Sequence, residues 1–166
     1  DNAKIPPNSV DSEQSVLGGL LLHNDSWDSV VNILGSDDFY QTSHRIIYDA
    51  IVTLLEHDKP ADILTVKEQV IKSHDEESIG GFAYLAQIAE NTPSVSNIEA
   101  SANHVREPSI YRQLTKIGKA LADTAFNLKD IEVNALLDLS ETKIFEIAEP
   151  ASRNKQKFTN VKVNTK

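Results

Sequence analysis

Cysteine is absent from this 166-residue chain, and so is methionine. Without cysteine there are no disulfides and no thiolate metal sites, which fits a reducing compartment. The lack of methionine even at position 1 suggests a processed or excised piece. Aromatic residues make up only 6% of the chain and are not interleaved with basic ones, which argues against a stacking platform for single strands. No apolar run approaches the length needed to span a bilayer, and no basic region followed by an apolar stretch opens the chain. Neither a membrane segment nor a signal peptide is visible, so the cytoplasm is the default location. Basic residues are scarce at first: residues 1–104 hold 17 acidic and 5 basic side chains, a balance of −12, whereas residues 105–166 hold 8 acidic and 11 basic. An acidic globule repels a phosphate backbone, so no direct nucleic-acid contact is expected from residues 1–104.

Catalytic patterns are missing as well. Gly118-Lys119-Ala120 has neither the upstream glycine nor the following Ser or Thr of a phosphate loop, and it falls within a helical stretch. No Gly-x-Ser-x-Gly elbow supports nucleophilic hydrolysis. His23, His44, His57, His74 and His104 are scattered, with no partner at a spacing that sets two ligands on one helix face, and read as surface or capping residues. His44-Arg45 reads as holding a helix start. No catalytic, cofactor-binding or metal site is therefore assigned.

What is present is helical periodicity. Pro6 and Pro7 stiffen the approach to Ser9, a good N-cap, and a helix is predicted from about Val10. Gly18 and Gly19 inside it cost about 1 kcal/mol each relative to alanine, which makes sense at a tight helix crossing. Trp27, Val30, Val31 and Leu34 form a short amphipathic helix after Asn24 or Asp25, and Asp37 to Tyr40 form a turn that drops a ring into the core. Ile46 to Leu55 give the strongest helical pattern, after the caps Thr42 and Ser43, and suggest the core's centre. Thr65 and Glu68 read as a capping box for a helix ending near Ser73. Gly80-Gly81 precedes another helical face, and Asn97 caps a helix from Ile98 to about Glu107.

After Pro108, Ile110, Leu114, Ile117, Leu121 and Ala125 stripe a helix of about twenty residues, roughly 30 Å long. A turn over 128–131 leads into a second helix, from Val133 to near Pro150. Together they form an antiparallel hairpin. Tyr111 and Phe145 lie off its main stripes, so self-association through the hairpin follows as a hypothesis. The chain is thus predicted to be all-α: a globule of about six short helices over 1–104, a hairpin over 105–149, and a basic, solvated linker over 150–166 that carries Arg153, Lys155, Lys157, Lys162 and Lys166 and no acid.

Several segments, in order, resemble the N-terminal domain of the bacterial replicative DNA helicase, DnaB. They are Pro6 to Leu22, Asp37 to Tyr40, His44 to Tyr48, Lys59 to Thr65, Gly80 to Leu85, Thr92 to Ser94, Asn97 to Ala100 and Lys143 to Glu149, with Phe158 to Lys162 similar to the approach to that family's linker helix. The resemblance implies a helical globule and hairpin whose copies pair, six forming a collar that stabilises a hexamer and receives primase, with a helicase loader as a further partner. It also implies that ATP and Mg belong to a motor beyond the linker, so that this piece, unlike its parent helicase, is not an enzyme. If primase docks in this way, Tyr84 and Leu121 are the candidate contacts, with Tyr84 otherwise read as a core residue. Where the family usually has a basic residue after Val105-Arg106-Glu107, this chain has Pro108, which starts a new helix or kinks a continuous one. The competing readings are a free-standing helical adaptor unrelated to replication and a histidine-dependent metalloenzyme.

Overall fold

The computed structural model describes residues 4–92, 97–127 and 131–149, and among these it is helical with no strand. Seven α-helices follow in order among the described residues: α1 Val10–Leu22, α2 Trp27–Val30, α3 Thr42–Glu56, α4 Ile63–Val70, α5 Phe82–Glu90, α6 Ile98–Asn127 and α7 Val133–Ala148. Single 3-10 turns occupy Asn24–Ser26, Ser36–Asp38 and Glu76–Ile79.

Helix α3 lies at the centre of the core as expected, and α1 shares that place. Six successive residues of α1, Val16 to Leu21, are buried, because α1 packs against α3, α5 and α6 at once. A helix enclosed on several sides needs apolar residues all round and loses the one-faced periodicity that makes α3 so legible. Burying each large aliphatic side chain of this core contributes about 1.5–3 kcal/mol. Gly18 permits the closest approach: a Cβ there would lie 1.7 Å from Thr92 Oγ1 and 2.7 Å from the Ile88 carbonyl oxygen. The two glycines before α5 serve a different need, since Gly80 and Gly81 both have positive φ, 80° and 86°, which side chains resist.

Several helix starts differ from the sequence reading. Helix α1 begins at Val10, but the Ser9 hydroxyl donates to Ser12 Oγ instead of capping a backbone N–H. Helix α2 is a single turn, and Asn24 bridges instead to the Ala61 backbone, accepting from its N–H and donating to its carbonyl. Neither Thr42 nor Ser43 caps α3, whose cap position is Gln41. The capping box of α4 lies three residues earlier than Thr65-Glu68: Asp62 Oδ1 accepts from the Thr65 N–H and Thr65 Oγ1 accepts from the Asp62 N–H, both at 2.9 Å. Asn97 does cap α6, accepting from the Ala100 N–H.

The largest difference concerns Pro108. Helix α6 runs unbroken for 30 residues with Pro108 inside it, across the expected boundary between residues 104 and 105. Proline lacks the N–H that the His104 carbonyl would accept, a cost of about 3 kcal/mol in a helix interior. Val105, Arg106 and Ser109 are all buried around it, so tertiary anchoring overrides the local preference. Helix α7 returns along α6 and completes the hairpin. Residues 128–130 of the turn predicted over 128–131, and the linker at 150–166, lie outside the described residues.

Candidate docking surface and its buried supports

Two buried polar networks fix the parts of the surface that carry the predicted contacts. The first starts on α1 with Glu13, which sits three, four and seven residues before Val16, Leu17 and Leu20, on the apolar side of the helix. Its carboxylate accepts from the Tyr40 N–H at 2.9 Å, from the Gln41 N–H at 3.3 Å and from His44 Nδ1 at 2.8 Å. The other nitrogen of His44 lies 2.6 Å from the Tyr84 hydroxyl, which also accepts from Gln14 Nε2 at 3.0 Å. One tautomer satisfies the whole chain: Gln14 donates to Tyr84, Tyr84 to His44 Nε2, and His44 Nδ1–H to Glu13. A carboxylate, imidazole and hydroxyl in this order can activate a nucleophile. Here Glu13 and His44 are 1% and 0% exposed, and the hydroxyl is already held by Gln14, so the network is a strut between α1, α3 and α5. His44 is therefore neither a surface nor a capping residue. Its burial between Glu13 and Tyr84 supplies the hydrogen bonds that make an interior histidine tolerable.

The second network ties the hairpin to the globule. Asp38 Oδ2 accepts from the Gly35 N–H at 2.8 Å, while Oδ1 accepts from Arg106 Nη1 at 2.8 Å and from Ser109 Oγ at 2.6 Å. The second Arg106 nitrogen, Nη2, donates to the Ile147 carbonyl at the end of α7. One guanidinium thus joins the 35–38 turn, α6 and α7. Next to it, Arg112 donates to the carbonyls of Pro7 and Asp38, each at 2.7 Å, and its guanidinium lies 5.5 Å from the Tyr40 ring centre. Burial pushes the Arg112 pKa down; Glu13 opposes this and Arg45 adds to it. Burial, more than the Asp38 and Asp49 carboxylates, raises the Tyr48 hydroxyl well above its ordinary range, and it donates to the Leu34 carbonyl at 2.9 Å.

The four predicted contact residues fall into two groups. Tyr84 is half-buried on α5, packed against the core with its hydroxyl turned into the first network. Tyr111 and Phe145 are 54% and 62% exposed on α6 and α7, and Leu121 is partly buried on α6. Sequence reasoning missed Glu13, Asp38 and Arg106. For Glu13 the signal was present, as an acid in register with an apolar stripe. For Asp38 and Arg106 the pairing spans 68 positions and only the fold brings it together. Among the described residues no group of three His, Cys, Asp or Glu side chains could hold a metal ion, and no helix is long and apolar enough to cross a membrane.

Residues 5–107 match the family described as the DnaB-like helicase N terminal domain. The chain belongs to that family. This DnaB-like domain is 40% identical to the replicative DNA helicase DnaB of Pasteurella multocida over 157 residues, and 35% identical over 161 residues to the replicative DNA helicase DnaC of Bacillus subtilis. Those alignments cover 95% and 97% of the chain but 34% and 35% of the relatives, so the chain spans about a third of their length. The N-terminal domain of the DnaB helicase from Mycobacterium tuberculosis superposes with a TM-score of 0.79 at 31% identity, covering 86% of this chain and 99% of that one. A DnaB-like replicative helicase, described together with its interactions with primase, shares the fold with a TM-score of 0.68 at 21% identity, over 84% of this chain and 31% of that one.

Proposed function

We propose that this DnaB-like domain is the non-catalytic collar module of a cytoplasmic replicative helicase, which pairs with other copies through its hairpin and docks primase. The observation that carries the reading is the hairpin's uncovered apolar surface: Tyr111, Leu114, Phe126, Leu137, Ile144 and Phe145 are all more than 40% exposed. Large apolar side chains left exposed together on one element point to an interaction surface there. Family membership supports a place in replication, and the structural relative described with primase supports that partner. In this reading hexamer assembly, loader binding, ATP, Mg and DNA unwinding are properties of a parent protein of the relatives' length.

Sedimentation analysis tests the pairing. The chain is expected to dimerise reversibly, and Y111E/F145E, which places charge on the exposed face, is expected to be monomeric with an unchanged helical spectrum; a wild type that stays monomeric at high concentration rejects pairing. Primase affinity tests the docking. Y84A and L121A are expected to weaken it about tenfold or more, and unchanged affinity in both removes these contacts. Y84F separates ring from hydroxyl: it keeps the exposed edge of the ring and loses the bonds to His44 and Gln14.

A further inference from the structure

A cleft of about 630 Å³ lies where the base of the hairpin meets the globule. Its size is that of a small-molecule site. Four cations from three elements line it: Arg45 from α3, Arg112 and Lys116 one turn apart on α6, and Lys143 from α7. Two carboxylates, Asp37 and Glu146, also line it, leaving a formal lining charge of +2 on a chain whose net charge is −9. The concentration is selective, since Arg45 is one of only 5 basic residues in the first 104.

We propose that this cleft binds a small ligand carrying a phosphate monoester. A phosphate monoester carries about −1.5 to −2 charges at neutral pH, which matches the lining, and its tetrahedral oxygens accept donors from several directions. Arginine forks fit carboxylate and phosphate alike, but a single carboxylate brings one charge and two coplanar oxygens, fewer than cations from three elements can engage. Arg112 is desolvated and Arg45 adds to that penalty; Glu13 and Asp38 offset part of it, and a bound anion relieves the rest. The cations belong to both the globule and the returning helix, so the ligand also bridges α3 to α7. Occupancy is thereby coupled to how firmly the hairpin is held.

Calorimetric titration of the 166-residue chain with inorganic phosphate, at low and constant ionic strength, tests the proposal. Saturable binding is expected, with an affinity reduced about tenfold or more in K116A/K143A. Both lysines are exposed, so that variant should keep its helical spectrum and melting temperature. It also separates the cleft from the five cations of residues 150–166, which attract anions without regard to it. Bound phosphate is further expected to slow amide exchange in α7. No saturable binding, or equal binding by the double variant, overturns the site. Citrate binding as tightly as phosphate overturns the phosphate assignment, and displacement of phosphate by single-stranded DNA with affinity growing with length overturns a small ligand.

Discussion

At Gly18 the space for a Cβ is occupied by Thr92 and by the Ile88 carbonyl. G18A is expected to destabilise the domain by about 1–3 kcal/mol, as overpacking does, read as a lower melting temperature. The double variant G18A/T92A should recover only part of that, because the Ile88 carbonyl oxygen remains; full recovery would show that the helices themselves need not be so close. At Tyr84, removing the hydroxyl leaves His44 Nε2 buried without its partner, and Y84F is expected to cost about 1–3 kcal/mol in denaturant titration. Tyr48 supplies a pH test. Its folded pKa is raised above the ordinary 10.0 by burial, so its contribution is fully present below that pH and is lost as pH rises beyond it. Y48F should weaken the domain at neutral pH, through the lost bond to Leu34, and flatten the fall in melting temperature that begins as the pH rises above about 10. An equally steep fall in the variant would assign alkaline unfolding to other groups.

Among the elements, the hairpin is held differently from the globule. Only Ile147 of the 16 residues of α7 is buried, and the carbonyl of that same residue receives Arg106. Breaking a buried ion pair by removing one partner costs about 3–5 kcal/mol. R106A is therefore expected to show that loss, with α7 amides exchanging much faster while those of α1 and α3 change less. R106K should be intermediate, because an ammonium cannot reach Asp38 and Ile147 with a planar fork. Helix α6 also carries Pro108 where an ordinary residue would complete the ladder. P108A restores an N–H for the His104 carbonyl and should raise the melting temperature; a fall would mean that the ring's packing outweighs the missing bond.

For the whole molecule, stability should grade from the globule outwards. The core cluster draws on α1, α3, α4, α5 and the first turns of α6, while beyond Ser109 α6 has no fully buried residue. Native-state hydrogen exchange is expected to protect α1 and α3 most and the end of the hairpin least, in line with local contact density. Self-association would add protection to the exposed hairpin face in a concentration-dependent way. Uniform protection along α6 in dilute monomer would contradict this gradient.

Helical class, the positions of α3, α5 and α7 and the turn that buries Phe39 were legible in the sequence, because apolar spacing and glycine or proline punctuation are local signals. So was the need for a close crossing at Gly18, which an otherwise costly residue announces. Ser9 was read correctly as the cap position of α1, though its hydroxyl bonds Ser12; the caps of α3 and α4 were misread because backbone geometry, not the side chain's capping ability, chose Gln41 and Asp62. Continuity of α6 through Pro108 was decided by tertiary packing, since buried neighbours on both sides outweigh one missing hydrogen bond. The same holds for Glu13 with His44 and for Asp38 with Arg106. Their partners lie 31 and 68 positions apart, a separation at which sequence spacing carries no information and only the packed helices set the distance.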